Sequence, residues 1–252
     1  MIPYRDENET QRTPYITLAL IALNVFAWLI VQGAGAPLPL ARSVCNLGLI
    51  PGELTGALPP GTRFPIGDGL VCLTEPGHQV AHLVTSMFLH GSWMHLIGNM
   101  WFLWLFGNNV EDAMGRPRFV IFYLLCGLAA ALAQVITKPD SGIPMVGASG
   151  AISGVMGGYL FLFPHVRVFA LLILGFFITS VALPAWMMLA YWFLIQFISG
   201  LAAFGGEVGG VAFWAHVGGF AVGLILVKLF ARPDYLAAHR AHHWRPRHLM
   251  RG

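Results

Sequence analysis

Six apolar runs constrain this chain more than any other feature. They lie at about 15–32, 84–107, 118–136, 147–163, 184–203 and 211–231, each close to the ~20 residues a helix needs to cross a hydrocarbon core. In lipid, backbone N–H and C=O groups must be satisfied within the segment, so each run predicts a transmembrane helix. Composition agrees. Of the 252 residues 57% are hydrophobic and 10% charged, where soluble domains carry roughly a quarter charged, and mean hydropathy is +0.70. The pattern predicts an all-α polytopic membrane protein built as a six-transmembrane-helix bundle. A seventh apolar stretch, 168–183, is shorter, carries Gly175, Thr179 and Ser180, and stops at Pro184.

Basic residues orient the bundle. With the N-terminus in the cytoplasm, Arg5, Arg12, Arg116, Arg118, Arg167, Lys228, Arg232, Arg240, Arg245, Arg247 and Arg251 fall inside. Arg42, Arg63 and Lys138 fall outside, eleven against three of the fourteen. Counting 168–183 as a span would put the basic C-terminus outside, so it reads as a re-entrant or interfacial piece on the cytoplasmic side. Residues 1–14 then form a cytoplasmic N-terminal tail, 15–231 the membrane domain and 232–252 a basic cytoplasmic C-terminal tail. The polar start, Met1 to Pro14, reads as neither a signal nor a transit peptide. The connection 33–83 is rich in Gly and Pro but also in Leu and Ile, which predicts an ordered, membrane-associated first external loop. It holds Cys45 and Cys72 on the outer side, where a disulfide can form, although the pairing does not follow from sequence. Cys126 sits in an apolar run as a packing residue. The stretch His239 to His248 reads as a juxtamembrane segment against anionic lipid, ahead of a metal or nucleic-acid site.

All eleven acids fall outside the spans, which argues against a carboxylate proton relay or a transporter. Inside them lie histidines, His95 in the second and His216 in the sixth, with Asn99 one turn after His95. A hydroxyl joins them at Pro144-Met145-Val146-Gly147-Ala148-Ser149-Gly150. Gly147 and Gly150 permit positive φ and close approach, so Ser149 can open the fourth span, where orphan N–H groups and the helix dipole favour negative charge. Such a serine is a nucleophile with half an oxyanion site, given a base in reach. At ~1.5 Å per residue, His216 lies roughly 7–8 Å down from the side on which the fourth span begins, and His95 and Asn99 fall in the same outer half. Ser149, Ser153 and Gly157 form one small-residue row, and His216, Gly219 and Gly223 another, so spans four and six can approach backbone to backbone. A small-residue helix contact and structural histidines explain each feature singly. Their shared depth favours a catalytic cluster.

These residues resemble the rhomboid family of intramembrane serine proteases. The resemblance rests on Gly147-Ala148-Ser149-Gly150, on Ala215-His216-Val217-Gly218-Gly219 with Gly223, and on His90-Gly91-Ser92-Trp93-Met94-His95 with Asn99. Gly107 through Val110-Glu111-Asp112 to Gly115-Arg116 looks like the turn after span two. It covers about 80–231 and makes 15–231 a rhomboid-like protease domain in the bacterial cytoplasmic membrane. It implies Ser149 as nucleophile and His216 as general base, then acid, with no metal or cofactor. His95, Asn99 and the Ser149 N–H would hold the oxyanion, and span five, about 184–203, would act as a lateral gate. The implied partners are the lipid bilayer and transmembrane protein substrates, with no nucleic acid; oligomeric state is not encoded legibly. Two positions depart from the pattern. Ala81 and His82 stand where many members carry Trp-Arg, which leaves the pinning of the external loop open. Ser153 stands where some carry an aromatic against the catalytic histidine, so the His216 ring is held by Trp214 or by packing alone. The rival readings are a catalytically silent relative that binds or chaperones membrane helices, and a zinc protease. The second is poorly supported, since no His-Glu-x-x-His occurs and His78 and His82 sit at a span's edge.

Overall fold

The computed structural model describes residues 2–67, 70–77, 79–175, 177–203 and 211–243. Asp68, His78, Glu207 and the basic stretch from Trp244 onward lie outside the described residues. The chain opens with a strand, β1 (Ile2–Asp6), then α1 (Tyr15–Phe26), which continues through a π-helical turn to Val31. Pro37 at the first turn starts α2 (Pro37–Leu47), and Pro51 starts the single turn α3 (Pro51–Leu54), both positions where a missing N–H costs nothing. A hairpin follows, β2 (Arg63–Gly67) with β3 (Leu70–Leu73), and then the short α4 (His82–Thr85). α5 (Trp93–Phe102) is capped by Ser92, whose hydroxyl accepts from the His95 N–H, and continues in a π-helical turn to Gly107. α6 (Asn108–Met114) ends at Gly115 with φ +79, from which α7 (Arg116–Thr137) departs. α8 (Ser149–Leu162), the hairpin β4 (Arg167–Leu174) and β5 (Phe177–Pro184), α9 (Ala185–Ala202), α10 (Phe213–Phe230) and α11 (Pro233–His243) complete the described chain.

α7, α9 and α10 are each long and apolar enough to cross a membrane, and Tyr15–Val31 and α8 are apolar but shorter. This is a helical membrane protein, as the apolar runs predict. It is not purely α. Segment 168–183 is the β4–β5 hairpin, and β1 pairs antiparallel with β4, giving the strand order β1-β4-β5. Two arms of eight residues each are too short to span as helices, and Val168, Phe169, Ile178, Thr179 and Val181 favour a pleated surface. Gly175 at φ +61 makes the reversal. Within the N-terminal tail, residues 2–14 are accordingly a docked strand and strap, and the first half of the C-terminal tail is helix.

Three acids clamp this end of the bundle. The Glu111 carboxylate accepts from the Ile16 and Thr17 N–H groups at 3.0 and 2.8 Å and from the Thr17 hydroxyl at 2.8 Å, so it caps the first turn of α1 from another helix. Asp112 accepts from the Gln11 N–H and pairs with Arg12 and with His239 of α11. Asp6 accepts from the Tyr159 hydroxyl at 2.6 Å and from Asn109 at 3.1 Å.

At the opposite end, α2, α3 and the β2–β3 hairpin form the ordered loop. A Cys45–Cys72 disulfide ties α2 to β3. Buried His82 faces buried Glu53 at 4.0 Å, and the Thr85 hydroxyl donates to the Leu47 carbonyl at 2.7 Å. Those contacts pin the loop in the absence of Trp-Arg.

The core is α8 against α7 and α10. A Cβ on Gly219 would overlap the Gly150 carbonyl, one on Gly223 the Gly154 backbone, and one on Gly157 the Phe220 carbonyl. The face of α8 toward α10 is therefore Gly150, Gly154 and Gly157, one step round the helix from the predicted row. Ser153 is buried, and its hydroxyl donates back to the Ser149 carbonyl at 2.6 Å. Around this contact pack Phe119, Phe122, Val155, Met156 and Tyr159, all at 2% exposure or less.

Candidate active site

Ser149 is the first residue of α8. The strand-like approach to it is fixed from outside: Leu49 and Met145 exchange backbone hydrogen bonds, and the Gly147 N–H donates to the Ser86 carbonyl at 2.9 Å. Gly147 then turns the chain at φ +131, a conformation strained for any side chain, and a Cβ there would lie 2.8 Å from His95 Nε2. Of the two glycines, only Gly147 needs positive φ; Gly150 is needed for close approach. Ser149 thus arrives half-buried with its backbone N–H among the first-turn donors that have no intrahelical acceptor.

His216 enters from the first turn of α10. The glycine contact between α8 and α10 brings its Nε2 to 2.8 Å from Ser149 Oγ, within the reach a base needs. Its other nitrogen, Nδ1, lies 2.8 Å from Gln196 Oε1 on α9. Trp192, one turn before Gln196, places its ring centroid 6.0 Å from that of the imidazole. The expected holder, Trp214, instead meets Phe197 edge to face at 5.9 Å. Sequence reading missed both Gln196 and Trp192, although a lone amide within the apolar run Tyr191-Trp192-Phe193-Leu194-Ile195-Gln196-Phe197 was a signal.

His95 and Asn99 lie one turn apart on α5 and face the same cavity, of about 630 Å³, as Ser149 and His216. His95 Nδ1 accepts from the Gly91 N–H at 3.3 Å, which assigns the ring proton to Nε2, on the side of Gly147 and Ser149. The Asn99 amide nitrogen is buried with no hydrogen-bond partner among the described residues. A buried unpaired donor costs free energy unless something polar occupies its site. Two N–H donors and a helix N-terminus therefore line one cavity with a hydroxyl paired with an imidazole, an arrangement suited to attacking a carbonyl and holding the resulting oxyanion. No group of three or more His, Cys, Asp or Glu side chains suited to a metal occurs among the described residues.

Comparison with known proteins is consistent with this geometry. A family model described as the Rhomboid domain matches residues 77–233. Rhomboid-like protein 11, chloroplastic, from Arabidopsis thaliana is 31% identical over 155 residues, which is 59% of this chain and 52% of that protein. Rhomboid protease GluP from Bacillus subtilis is 32% identical over 128 residues, 51% of this chain and 24% of that protein. The putative rhomboid protease YdcA, also from Bacillus subtilis, is 36% identical over 80 residues, 32% of this chain and 40% of that protein. The chain spans about half or less of the length of these relatives. A family match that runs from ahead of α4 to the start of α11, and so takes in every residue of the cavity cluster, leaves one assignment: the chain belongs to the rhomboid family.

Proposed function

We propose that this protein is an intramembrane serine endopeptidase whose nucleophile is Ser149 and whose base is His216. One observation carries the reading: the 2.8 Å approach of His216 Nε2 to Ser149 Oγ on a cavity that also holds His95 and Asn99. In this reading Ser149 Oγ attacks the scissile carbonyl carbon as its proton passes to His216 Nε2. The negative oxygen is met by His95 Nε2–H, the Asn99 amide and the Ser149 N–H. As the C–N bond breaks, the imidazolium returns its proton to the departing amine, and a water activated by the same nitrogen hydrolyses the acyl-enzyme. Six helices cross the membrane, both termini lie in the cytoplasm, and the membrane is the bacterial cytoplasmic one. Substrates are transmembrane segments with small or helix-weakening residues near the outer face. Such a helix must unwind to offer its peptide bond, and unpaired backbone in lipid costs several kcal/mol, so the polar cavity supplies the groups that receive it. α9 is the side from which it enters.

Ser149→Ala is expected to abolish cleavage of a reporter transmembrane substrate without loss of expression. His216→Ala is expected to do the same and to remove fluorophosphonate labelling of Ser149. Turnover near that of the parent chain in either variant would refute the assignment. Failure of the parent chain to label at all would favour a silent helix-binding relative.

A further inference from the structure

A neutral imidazole is a base at Nε2 only when its proton sits on Nδ1, and something must hold it there. In this cavity no carboxylate is present to do so among the described residues; the titratable side chains lining it are His216 itself, His95 on α5 and Lys138 at the end of α7. The Lys138 ammonium donates to the Ala203 carbonyl at 2.9 Å, and His95 is turned toward Gly91. The acceptor that does face His216 Nδ1 is Gln196 Oε1, at 2.8 Å. An amide in the middle of a membrane helix is costly without a polar partner, and here its oxygen is turned inward onto the histidine. Trp192 lies one turn away on the same helix face, in contact distance of both His216 and Phe220. With Ser153 in place of a stacking ring, α9 carries both the hydrogen bond and the ring that face His216.

We infer that Gln196 is a positioning residue for the Ser149–His216 pair: its amide oxygen accepts the Nδ1 proton and so fixes the imidazole tautomer and ring plane from α9. This rests on the protease reading above. A consequence follows from packing. α9 is the least embedded of the three long helices, with 22% of its apolar window buried against 44% in α7 and 28% in α10. The base is therefore organised from the least buried of the three long helices, and His216 is correctly set only while α9 is docked.

The test uses the full chain in detergent, with the rate of fluorophosphonate labelling followed across pH and turnover of a transmembrane reporter followed beside it. Gln196→Leu removes the acceptor and is expected to slow labelling and kcat by roughly 10- to 100-fold, a share of the 10²–10⁴ that a positioned base contributes, with KM little changed. Gln196→Glu keeps an acceptor and adds a negative charge, so it is expected to label within a few-fold of the parent chain. Its acidic midpoint should move up by about one pH unit, because a nearby carboxylate favours the imidazolium. A side chain at 196 that did not face Nδ1 would leave the midpoint where it is, and a glutamine that faces it without positioning it would leave the Gln196→Leu rate unchanged. An unshifted midpoint in Gln196→Glu, or parental rate and midpoint in Gln196→Leu, overturns the inference while leaving the protease reading intact. Labelling that persists in Ser149→Ala, or is absent from the parent chain, overturns both.

Discussion

At the scale of single residues, the site is a set of polar atoms whose partners were chosen by the surrounding backbone. In the proposed site His95 has Nε2–H to offer because Gly91 takes up its Nδ1, and Asn99 its amide nitrogen because nothing takes it up among the described residues. In the proposed mechanism several donors share the oxyanion, so Asn99→Ala is expected to lower kcat by roughly tenfold to a hundredfold, less than removal of a sole donor. Steady-state cleavage of the reporter would check this, and a loss equal to that of Ser149→Ala would give Asn99 another role. Gly147 is a sharper case. A side chain there meets both an unfavourable φ of +131 and His95 Nε2, so Gly147→Ala should displace His95 and lose most labelling. Ser149, His216, His95 and Asn99 stood out as candidates because imidazoles are few inside the apolar runs, Asn99 lies one turn from one of them, and a glycine-flanked hydroxyl opens the fourth run. Gln196 carries the same kind of signal, but an amide has no reactivity of its own, and its meaning appears only beside the imidazole it faces.

Among elements, the decisive contact is α8 with α10, where glycine backbones touch. Gly223→Val would force a side chain into the Gly154 backbone and drive the helices apart, at a cost of about 1–3 kcal/mol for an overpacked core. The expected result is a lower midpoint of thermal unfolding in detergent together with lost labelling, since the proposed dyad spans the two helices. Gly98→Ala on α5 is the control. A Cβ there meets nothing within 4 Å, and alanine is the better helix former by roughly 1 kcal/mol, so stability should hold or rise. The apolar periods revealed the helices but not which face each presents. α8 is small or apolar nearly all round, so its Gly150-Gly154-Gly157 edge and its Ser149-Ser153-Gly157 edge look equally fit until a neighbour selects one.

Across the whole molecule, the two ends are fastened differently. One is held by the Cys45–Cys72 bridge and the loop around α3. The other is held by Asp6, Glu111 and Asp112, which bind β1, α1 and α11 to the ends of the bundle. Burial pushes the Asp6 carboxyl up to about 6, against the hydrogen bonds from Tyr159 and the Asn8 N–H that pull it down. Burial also works to raise Asp112, but the hydrogen bonds from His239 and the Gln11 N–H and the charge of Arg12 outweigh it and leave its pKa below the usual carboxylate value. The signs are opposite. Asp6 favours the folded state while protonated, and that contribution is lost as pH rises from about 4 through about 6. Asp112 contributes above the ordinary carboxylate range and loses its share as pH falls below it. Asp6→Asn keeps the acceptor for Tyr159 and removes the half-buried charge. It should raise stability at pH 7.5 by up to about 3 kcal/mol, since each tenfold change in proton affinity between the folded and unfolded chain is worth ~1.4 kcal/mol. It should also flatten the fall between pH 4 and 6. Thermal unfolding across pH would check both, and an unchanged slope would mean Asp6 is not the group responsible.

By itself the sequence determined that the chain lives in a membrane, since 57% hydrophobic residues in long runs leave no other solvent for it. It also picked out the candidate side chains for chemistry, because polar groups stand out against hydrocarbon. Tertiary structure alone decided that 168–183 is a hairpin completed by residues 2–6, because a strand is defined by a partner that lies far along the chain. It alone decided that His216 leans on Gln196, because the orientation of a ring is set by neighbours in space and not by neighbours in sequence.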